Sequence, residues 1–315
     1  MKTYFNFQLT GKKLFPLWAI YYLFIIVPYV IFLLTIRSHQ AADQHLSTAL
    51  FAVVFGLVII IIVLIWDMYF VKTILQNTQL NGTNLQCNYS FGEFLGVVAL
   101  GIFLTIITIG IYAPWFVKNM QRFFIDNTSY KEKKFAFQGK GGKLFVILLL
   151  TLFIPMVIVI IVMAKVFGTH LNDQPILIQI IKNVIIYIIL IPYIYYIYKW
   201  MFDITYKGYH FKWHTKFWPS IGKITLEMVL SIITLGFYAP LAYVRLYKYF
   251  LEKTKSETEG TPKILFNFAI DQKKDYLFIL VQTLLTVITL GIYFPWYFCK
   301  VSQRILEKTS MEKIA

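Results

Sequence analysis

The chain carries few residues able to do chemistry, and most of them sit among apolar neighbours. Glu227 lies in Ile224-Thr225-Leu226-Glu227-Met228, inside an apolar run. A charge within hydrocarbon is costly, so an acid in such a run is a functional candidate. Asp67 follows Trp66 at the end of a second run, Asp203 holds a matching place after Phe202, and Asp126 aligns with Asp203. At the end of a run the simpler role is an ion pair, with Lys72 or Lys199 as the nearby cation. Three hydroxyl pairs recur: Thr105 and Thr108, Ser231 and Thr234, Thr286 and Thr289. Their three-residue spacing puts each pair on one helix face. Such hydroxyls bond back to the i−4 carbonyl or to a neighbouring helix. The functional alternative is a polar seam, with Glu227, that binds a headgroup or lets a solute pass.

Catalytic patterns are missing. There is no G-x-S-x-G, no Walker loop and no H-E-x-x-H, so no enzyme is expected. His210-x-x-x-His214 has metal spacing only on a helix, and its segment alternates aromatic residues as a strand does; no metal is expected there. Gly139-Lys140-Gly141-Gly142-Lys143 has the composition of a phosphate cradle, but a turn before the next apolar run is the simpler role. Cys87 and Cys299 are far apart, which argues against a disulfide framework or a cysteine metal site. No cofactor is implied.

The elements that hold these residues must lie in a membrane. Only 14% of the 315 residues are charged and 58% are hydrophobic, against about 25% charged in soluble domains. Residues 14–36, 49–66, 144–164 and 184–198 are apolar runs near the roughly 20 residues that cross a bilayer. The first run is too long for a cleavable signal, and no small-x-small site follows it. A net charge of +15 suits lysines and arginines that flank such runs and meet anionic lipid. The partner expected is thus the lipid bilayer with its anionic headgroups, and not nucleic acid; no protein partner is indicated.

Nine residues are written three times: ITIGIYAPW at 107–115, ITLGFYAPL at 233–241 and ITLGIYFPW at 288–296. Aromatic-x-aromatic pieces precede the apolar runs at Phe5-Asn6-Phe7, Phe135-Ala136-Phe137, Phe211-Lys212-Trp213 and Phe266-Asn267-Phe268. These read as short strands or as an aromatic belt at the headgroups. Asn81-Gly82 is a hairpin turn signal. One membrane domain of five related units follows, at about 3–80, 83–130, 133–206, 208–256 and 264–310. The second, fourth and fifth are short and carry the nine-residue stretch.

Gly110, Gly236 and Gly291 suit the left-handed residue after a helix end. Pro114, Pro240 and Pro295 suit the first turn of a new helix. Tyr112, Tyr238 and Tyr293 between them are interfacial anchors. The helix after each proline is amphipathic. Its cations Lys118 and Arg122, Arg245 and Lys248, Lys300 and Arg304 are candidate contacts to anionic lipid.

Charge separates two topologies. If each short unit crosses once, the chain spans seven times and the basic segments 118–143 and 199–223 fall outside, against the positive-inside tendency. If each short unit enters and leaves on one face, four full spans remain and every basic segment becomes cytoplasmic. The outer loops are then 37–46 and 165–179, with Lys165 and His170 at their borders. The second arrangement is favoured and puts both termini in the cytoplasm. The objection is length: an apolar helix of about 18 residues is about 27 Å long, nearly a full span. Seven spans stay open as the alternative.

The F-x-F-x-G piece at 135–139, the stretch at 107–115 and the basic helix ending in Asn127-Thr128 together resemble the YjgN-like family of bacterial inner-membrane proteins. The resemblance spans nearly the whole chain and implies an inner-membrane location, with no established activity and no catalytic residues to carry over. Leu241 departs from the pattern, where Trp is expected. The fold expected is an all-α polytopic membrane protein of tandem helical units with re-entrant or kinked helices and small β-strand additions at the cytoplasmic face. Two functions are open. One is a channel or transporter for a small or amphipathic solute. The alternative is a non-catalytic organiser that grips anionic lipid or a partner protein through its basic interfacial helices.

Overall fold

The computed structural model describes residues 2–30, 32, 45–167, 176–256 and 263–314. The expected outer loops at 37–46 and 165–179, with His170, lie largely outside the described residues. In chain order the elements are β1 (Lys2–Phe7), α1 (Gly11–Tyr21, continuing through a π-turn at Tyr22–Ile26), α2 (His45–Gln76), β2 (Thr78–Leu80), β3 (Thr83–Asn84) and β4 (Gln86–Cys87). Next come α3 (Phe91–Ile107), α4 (Ala113–Asp126), β5 (Thr128–Tyr130), β6 (Lys133–Phe137), α5 (Gly141–Leu148, with a π-turn at Leu149–Phe153), α6 (Ile154–Phe167) and α7 (Ile176–Met201). The rest are β7 (Ile204–Tyr206), β8 (Tyr209–Trp213), α8 (Phe217–Ile233), α9 (Ala239–Glu252), β9 (Thr254–Ser256), β10 (Lys263–Phe268), α10 (Gln272–Ile288), α11 (Phe294–Glu307) and β11 (Thr309–Ile314).

Among the described residues four stretches are long and apolar enough to cross a membrane: Gly11–Val30, Val53–Gln76, Gly141–Lys165 and Val184–Met201. Both π-turns are followed closely by a proline, Pro28 and Pro155. A widened turn relieves the clash between a proline ring and the carbonyl four residues back, so the helix continues instead of breaking.

The strands correct the all-α expectation. Eleven are described, and in one stretch they form a continuous antiparallel ladder through β5, β6, β7, β8, β9 and β10. The aromatic-x-aromatic pieces are the reason: period-2 aromatics fill a pleated surface, and Phe135 stacks on Tyr206 across the β6–β7 pair. Asn81-Gly82 and Lys207-Gly208 make the turns of their hairpins with both residues at positive φ, as the twist of a two-residue hairpin demands.

The chain forms two compact bodies. The larger comprises Met1–Lys2, Tyr89–Phe268 and Met311–Ala315; the smaller comprises Thr3–Asn88 and Ala269–Ser310. In the smaller, Phe7, Leu9, Leu14 and Cys299 form a buried cluster. In the larger, Phe137, Leu144, Ile147 and Trp200 form one cluster and Ile191, Tyr195 and Ile224 another.

One hydrogen bond recurs in both bodies. The residue after a strand donates its N–H to the carbonyl just before the returning strand. In the smaller body Gln8 donates to Asn77 at 2.9 Å and Ala269 to Lys308 at 3.0 Å. In the larger Gln138 donates to Asp203 at 2.8 Å and His214 to Lys253 at 2.9 Å. Each bond ties the start of a helical excursion to its end. The pair β8–β9 shows the consequence: Trp213 lies opposite Thr254, so α8 leaves and α9 returns to the same ladder.

Candidate functional site: three helical hairpins and a basic cavity

Each nine-residue stretch is the tip of a helical hairpin: α3–α4, α8–α9 and α10–α11. The glycines Gly110, Gly236 and Gly291 have φ of 87°, 89° and 90°. The residues before them, Ile109, Leu235 and Leu290, are also left-handed, at 50°, 50° and 51°. Two such residues in succession reverse the chain. Gly110 N–H then reaches Thr105 O at 2.7 Å, Gly236 reaches Ser231 at 2.7 Å and Gly291 reaches Thr286 at 2.8 Å, the long bond that closes a helix end. Pro114, Pro240 and Pro295 fall in the first turn of the second helix, where a missing N–H costs nothing.

The second hydroxyl of each pair bridges the turn, accepting from the residue just before the second helix. Thr108 Oγ1 accepts from Tyr112 N–H at 2.9 Å, and Thr234 and Thr289 accept from Tyr238 and Tyr293 at 3.0 Å. Losing such a hydrogen bond costs about 1 kcal/mol. Thr108→Val, Thr234→Val or Thr289→Val is therefore expected to lower the melting temperature of the purified protein, and the serine variant at the same site to restore most of it. The first hydroxyl bonds back into its own helix: Thr105 to Gly101 O at 2.7 Å, Ser231 to Glu227 O at 2.7 Å and Thr286 to Gln282 O at 2.9 Å.

The tips present apolar side chains outward. Ile109 is 93% exposed, Leu235 89% and Leu290 80%. A β-branched residue held left-handed with its side chain in the open makes sense where hydrocarbon, not water, is the surrounding solvent. The third tip is tied to α1. Trp18 Nε1 donates to Gly291 O at 3.1 Å, and Tyr22 hydroxyl donates to Leu290 O at 3.2 Å. Tyr22 lies about 16 Å along α1 from Gly11 at 1.5 Å per residue, roughly half of a 30 Å hydrocarbon core.

Each tyrosine, at the start of the second helix, bonds a residue further along that helix. Tyr112 hydroxyl accepts from Asn119 at 3.1 Å, Tyr238 from Arg245 at 2.7 Å and Tyr293 from Lys300 at 2.8 Å. The partner is seven residues on each time. Nine residues before each glycine stand Gly101, Glu227 and Gln282. Glu227 is fully buried, with Lys223 Nζ at 2.6 Å and Arg245 Nη1 at 4.0 Å. Its Oε2 has no hydrogen-bond partner among the described residues. Gln282 accepts from Tyr293 hydroxyl at 2.8 Å. Where glycine stands, the Phe116 ring lies against Gly101 instead.

Most of the cations expected at lipid are engaged within the hairpins. Arg122 pairs with Asp126 at 2.9 Å, Lys248 with Glu252 at 3.7 Å and Arg304 with Asp275 at 2.9 Å. Lys118 donates to Asn119 at 3.2 Å, and Arg245 and Lys300 bond the tyrosines as above. Asp203 is bonded by His210 Nε2 at 2.6 Å; sequence reasoning had offered Lys199. His210 faces that acid, with its place on β8 set by Thr205 opposite. Asp67 is half-buried in α2, and Lys165 is exposed near the end of α6.

Two features singled out separately in the sequence come together. The basic helix α4 and the glycine loop at 139–142 line one cavity of about 520 Å³, with Lys118, Arg122 and Lys140 around it and Trp115 on its wall. Three cations around one cavity can hold an anion. The only acid lining it is Asp126, which already accepts from Phe137 N–H at 2.8 Å and from Arg122. The signal for this was the composition of the loop; what the sequence could not show is that α4 supplies the other wall.

Residues 5–275 match the family profile described as a bacterial protein of unknown function (DUF898). A stretch of 63 residues, 20% of this chain, is 35% identical to the inner membrane protein YjgN of Salmonella typhimurium (strain LT2), and it covers 16% of that relative. No solved structure matches the chain. With its four apolar helices, this is a membrane protein, and its resemblance to YjgN-like proteins has the family behind it: the chain belongs to the bacterial proteins of unknown function grouped as DUF898.

Proposed function

We propose that the protein is a non-catalytic organiser of the bacterial inner membrane that holds anionic lipid at its cytoplasmic face. In this reading it is built of five related units, four helices span the bilayer, three hairpins dip in from the strand side and return, and both termini are cytoplasmic. One observation carries the choice between organiser and conduit. All six hydroxyls of the supposed polar seam are bonded within their own helices or to the turn beside them, while the exposed tips are apolar. That supports packing into lipid over passage of a solute. The cavity between α4 and the glycine loop supports anion binding at the surface.

The conduit reading keeps one observation of its own, the unpartnered buried oxygen of Glu227. Two variants separate the readings. Arg122→Gln with Lys118→Gln and Lys140→Gln is expected to lower the fraction of anionic lipid that co-purifies, with no effect on solute flux. Thr105→Val with Ser231→Val and Thr286→Val is expected to leave lipid retention intact. Solute flux in proteoliposomes that vanishes in the valine variant would turn the assignment to a conduit.

A further inference from the structure

We infer that the larger body binds a single anionic phospholipid, with its phosphate among Lys143, Lys199, Lys212 and Lys216 and one acyl chain in the aromatic cleft between α7, α8 and α9. The inference rests on the reading that the protein holds anionic lipid; it names the site and the two halves of the ligand. Two cavities adjoin here. The first, about 550 Å³, is lined by those four lysines with His214, Thr215 and Asp203. The second, about 570 Å³, is walled by Tyr198, Phe202, Leu246, Tyr247 and Phe250. Trp213 lines both.

Three lysines of the first cavity, Lys143, Lys199 and Lys216, face one lining carboxylate among the described residues, and that acid, Asp203, is already bonded by His210. Lys143, Lys199 and Lys216 make no ion pair with a carboxylate among the described residues. Lys199 Nζ has only long bonds to neutral oxygens, 3.5 Å to Tyr195 hydroxyl and 3.4 Å to Thr215 O. Like charges gathered in one cavity repel, and a phosphate anion relieves that repulsion while accepting several N–H bonds at once.

The second cavity decides which phosphate. A soluble phosphate has no use for an apolar cleft, whereas a lipid needs both halves. Tyr195 bridges them: its ring lines the cleft, and its hydroxyl meets Thr215 Oγ1 of the basic cavity at 2.8 Å. Trp213 stacks on Phe250 at 4.4 Å and on Phe202 at 5.5 Å, which fixes the shared wall. Trp218 in the first turn of α8 is 79% exposed, as a tryptophan at the membrane–water boundary is. Headgroup above and chain below is then the natural orientation.

Native mass spectrometry of the full-length protein in detergent tests this, with phosphatidylglycerol, phosphatidylcholine and inorganic phosphate as probes. The wild type is expected to retain one phosphatidylglycerol in preference to phosphatidylcholine. Lys143→Gln with Lys216→Gln, both surface changes, is expected to weaken that retention roughly tenfold or more, since each cation near an anionic lipid contributes about a factor of five. Leu246→Trp, which fills the cleft, is expected to weaken it as well. Retention unchanged in both variants would overturn the site, even if the α4 variant above still sheds anionic lipid. Competition by inorganic phosphate with no effect of Leu246→Trp would mean a soluble anion and overturn the lipid. No preference for phosphatidylglycerol in the wild type would remove the organiser reading and this site together.

Discussion

Asp275→Ala is expected to destabilise the protein by about 3–5 kcal/mol, the cost of breaking a buried ion cluster from one side. Asp275 is 2% exposed, in the first turn of α10. It accepts from Arg304 Nε at 2.9 Å, from Lys308 Nζ and from the backbone N–H of Asp271 at 2.8 Å. These bonds pin the start of α10 to the end of α11. Removing the acid leaves two part-buried cations at the base of the hairpin without their shared partner. The loss is read as a fall in melting temperature in detergent.

The same cluster sets an acid limit. Burial alone would raise the Asp275 carboxyl, but the hydrogen bonds from Lys308, Asp271 and Arg304 outweigh it and hold the group below its ordinary value of 3.8. A depressed carboxyl stabilises the fold above the unfolded pKa and loses that contribution as pH falls through the folded one. The wild type is thus expected to lose stability below about pH 4. Asp275→Asn is expected to be less stable at neutral pH and flatter across that window. Equal acid slopes in the two proteins would contradict the assignment.

The fold does not need an ion pair at this position. Sixteen residues before the three glycines stand Phe94, Ser220 and Asp275, all buried. Thirteen residues after them stand Phe123, Tyr249 and Arg304, and each pair meets: ring to ring at 5.7 Å, hydroxyl to hydroxyl at 3.1 Å, and carboxylate to guanidinium. One geometry is served by three chemistries. Double replacement of Asp275 and Arg304 by phenylalanine is therefore expected to recover a large part of what Asp275→Ala loses.

Gly11→Ala and Gly141→Ala should each cost about 1–3 kcal/mol, the range for forced overpacking. A Cβ on Gly11 would come within 2.5 Å of the Trp296 ring and 2.9 Å of its Cα. A Cβ on Gly141 would come within 2.6 Å of Trp115. Trp115 and Trp296 are the last residues of their nine-residue stretches, and each seats its ring on the glycine that begins a helix long and apolar enough to cross a membrane. Phe145 and Phe15, four residues past those glycines, complete the two contacts at 5.6 and 5.3 Å. Gly142→Ala meets nothing within 4 Å and should be neutral, which separates steric cost from any general intolerance of alanine. Melting temperatures of the three variants check this.

That contact also accounts for the departure at Leu241. α9 packs against α8 and β10, and among the described residues no glycine has Leu241 as the near neighbour that Trp115 and Trp296 are to theirs. In the sequence Leu241 looks like drift; its meaning lies in a partner that no local pattern names. The tips were legible for the opposite reason. Gly110 to Pro114 is a local instruction, because a left-handed glycine and a proline in the next first turn act within a few residues. The apolar spans were legible from composition, and the strands from alternating aromatics. What the local pattern left out was pairing. Strands that looked like small additions form a long ladder because each finds its neighbours across helical excursions of dozens of residues. Asp203 took His210 because the β7–β8 turn brings them together, while Lys199, nearer in sequence, turns toward Tyr195. The lysine cavity draws on positions from 143 to 216 and has no sequence signature at all.

The proposed topology has the three hairpins enter and leave the membrane on one face. Single cysteines at the exposed positions Lys133, Lys207 and Lys263, in a protein lacking Cys87 and Cys299, test it with an impermeant thiol reagent on intact cells. Protection at all three is expected, with labelling only after the membrane is opened. Labelling of Lys133 and Lys207 in intact cells with Lys263 protected would mean seven crossings and would contradict it.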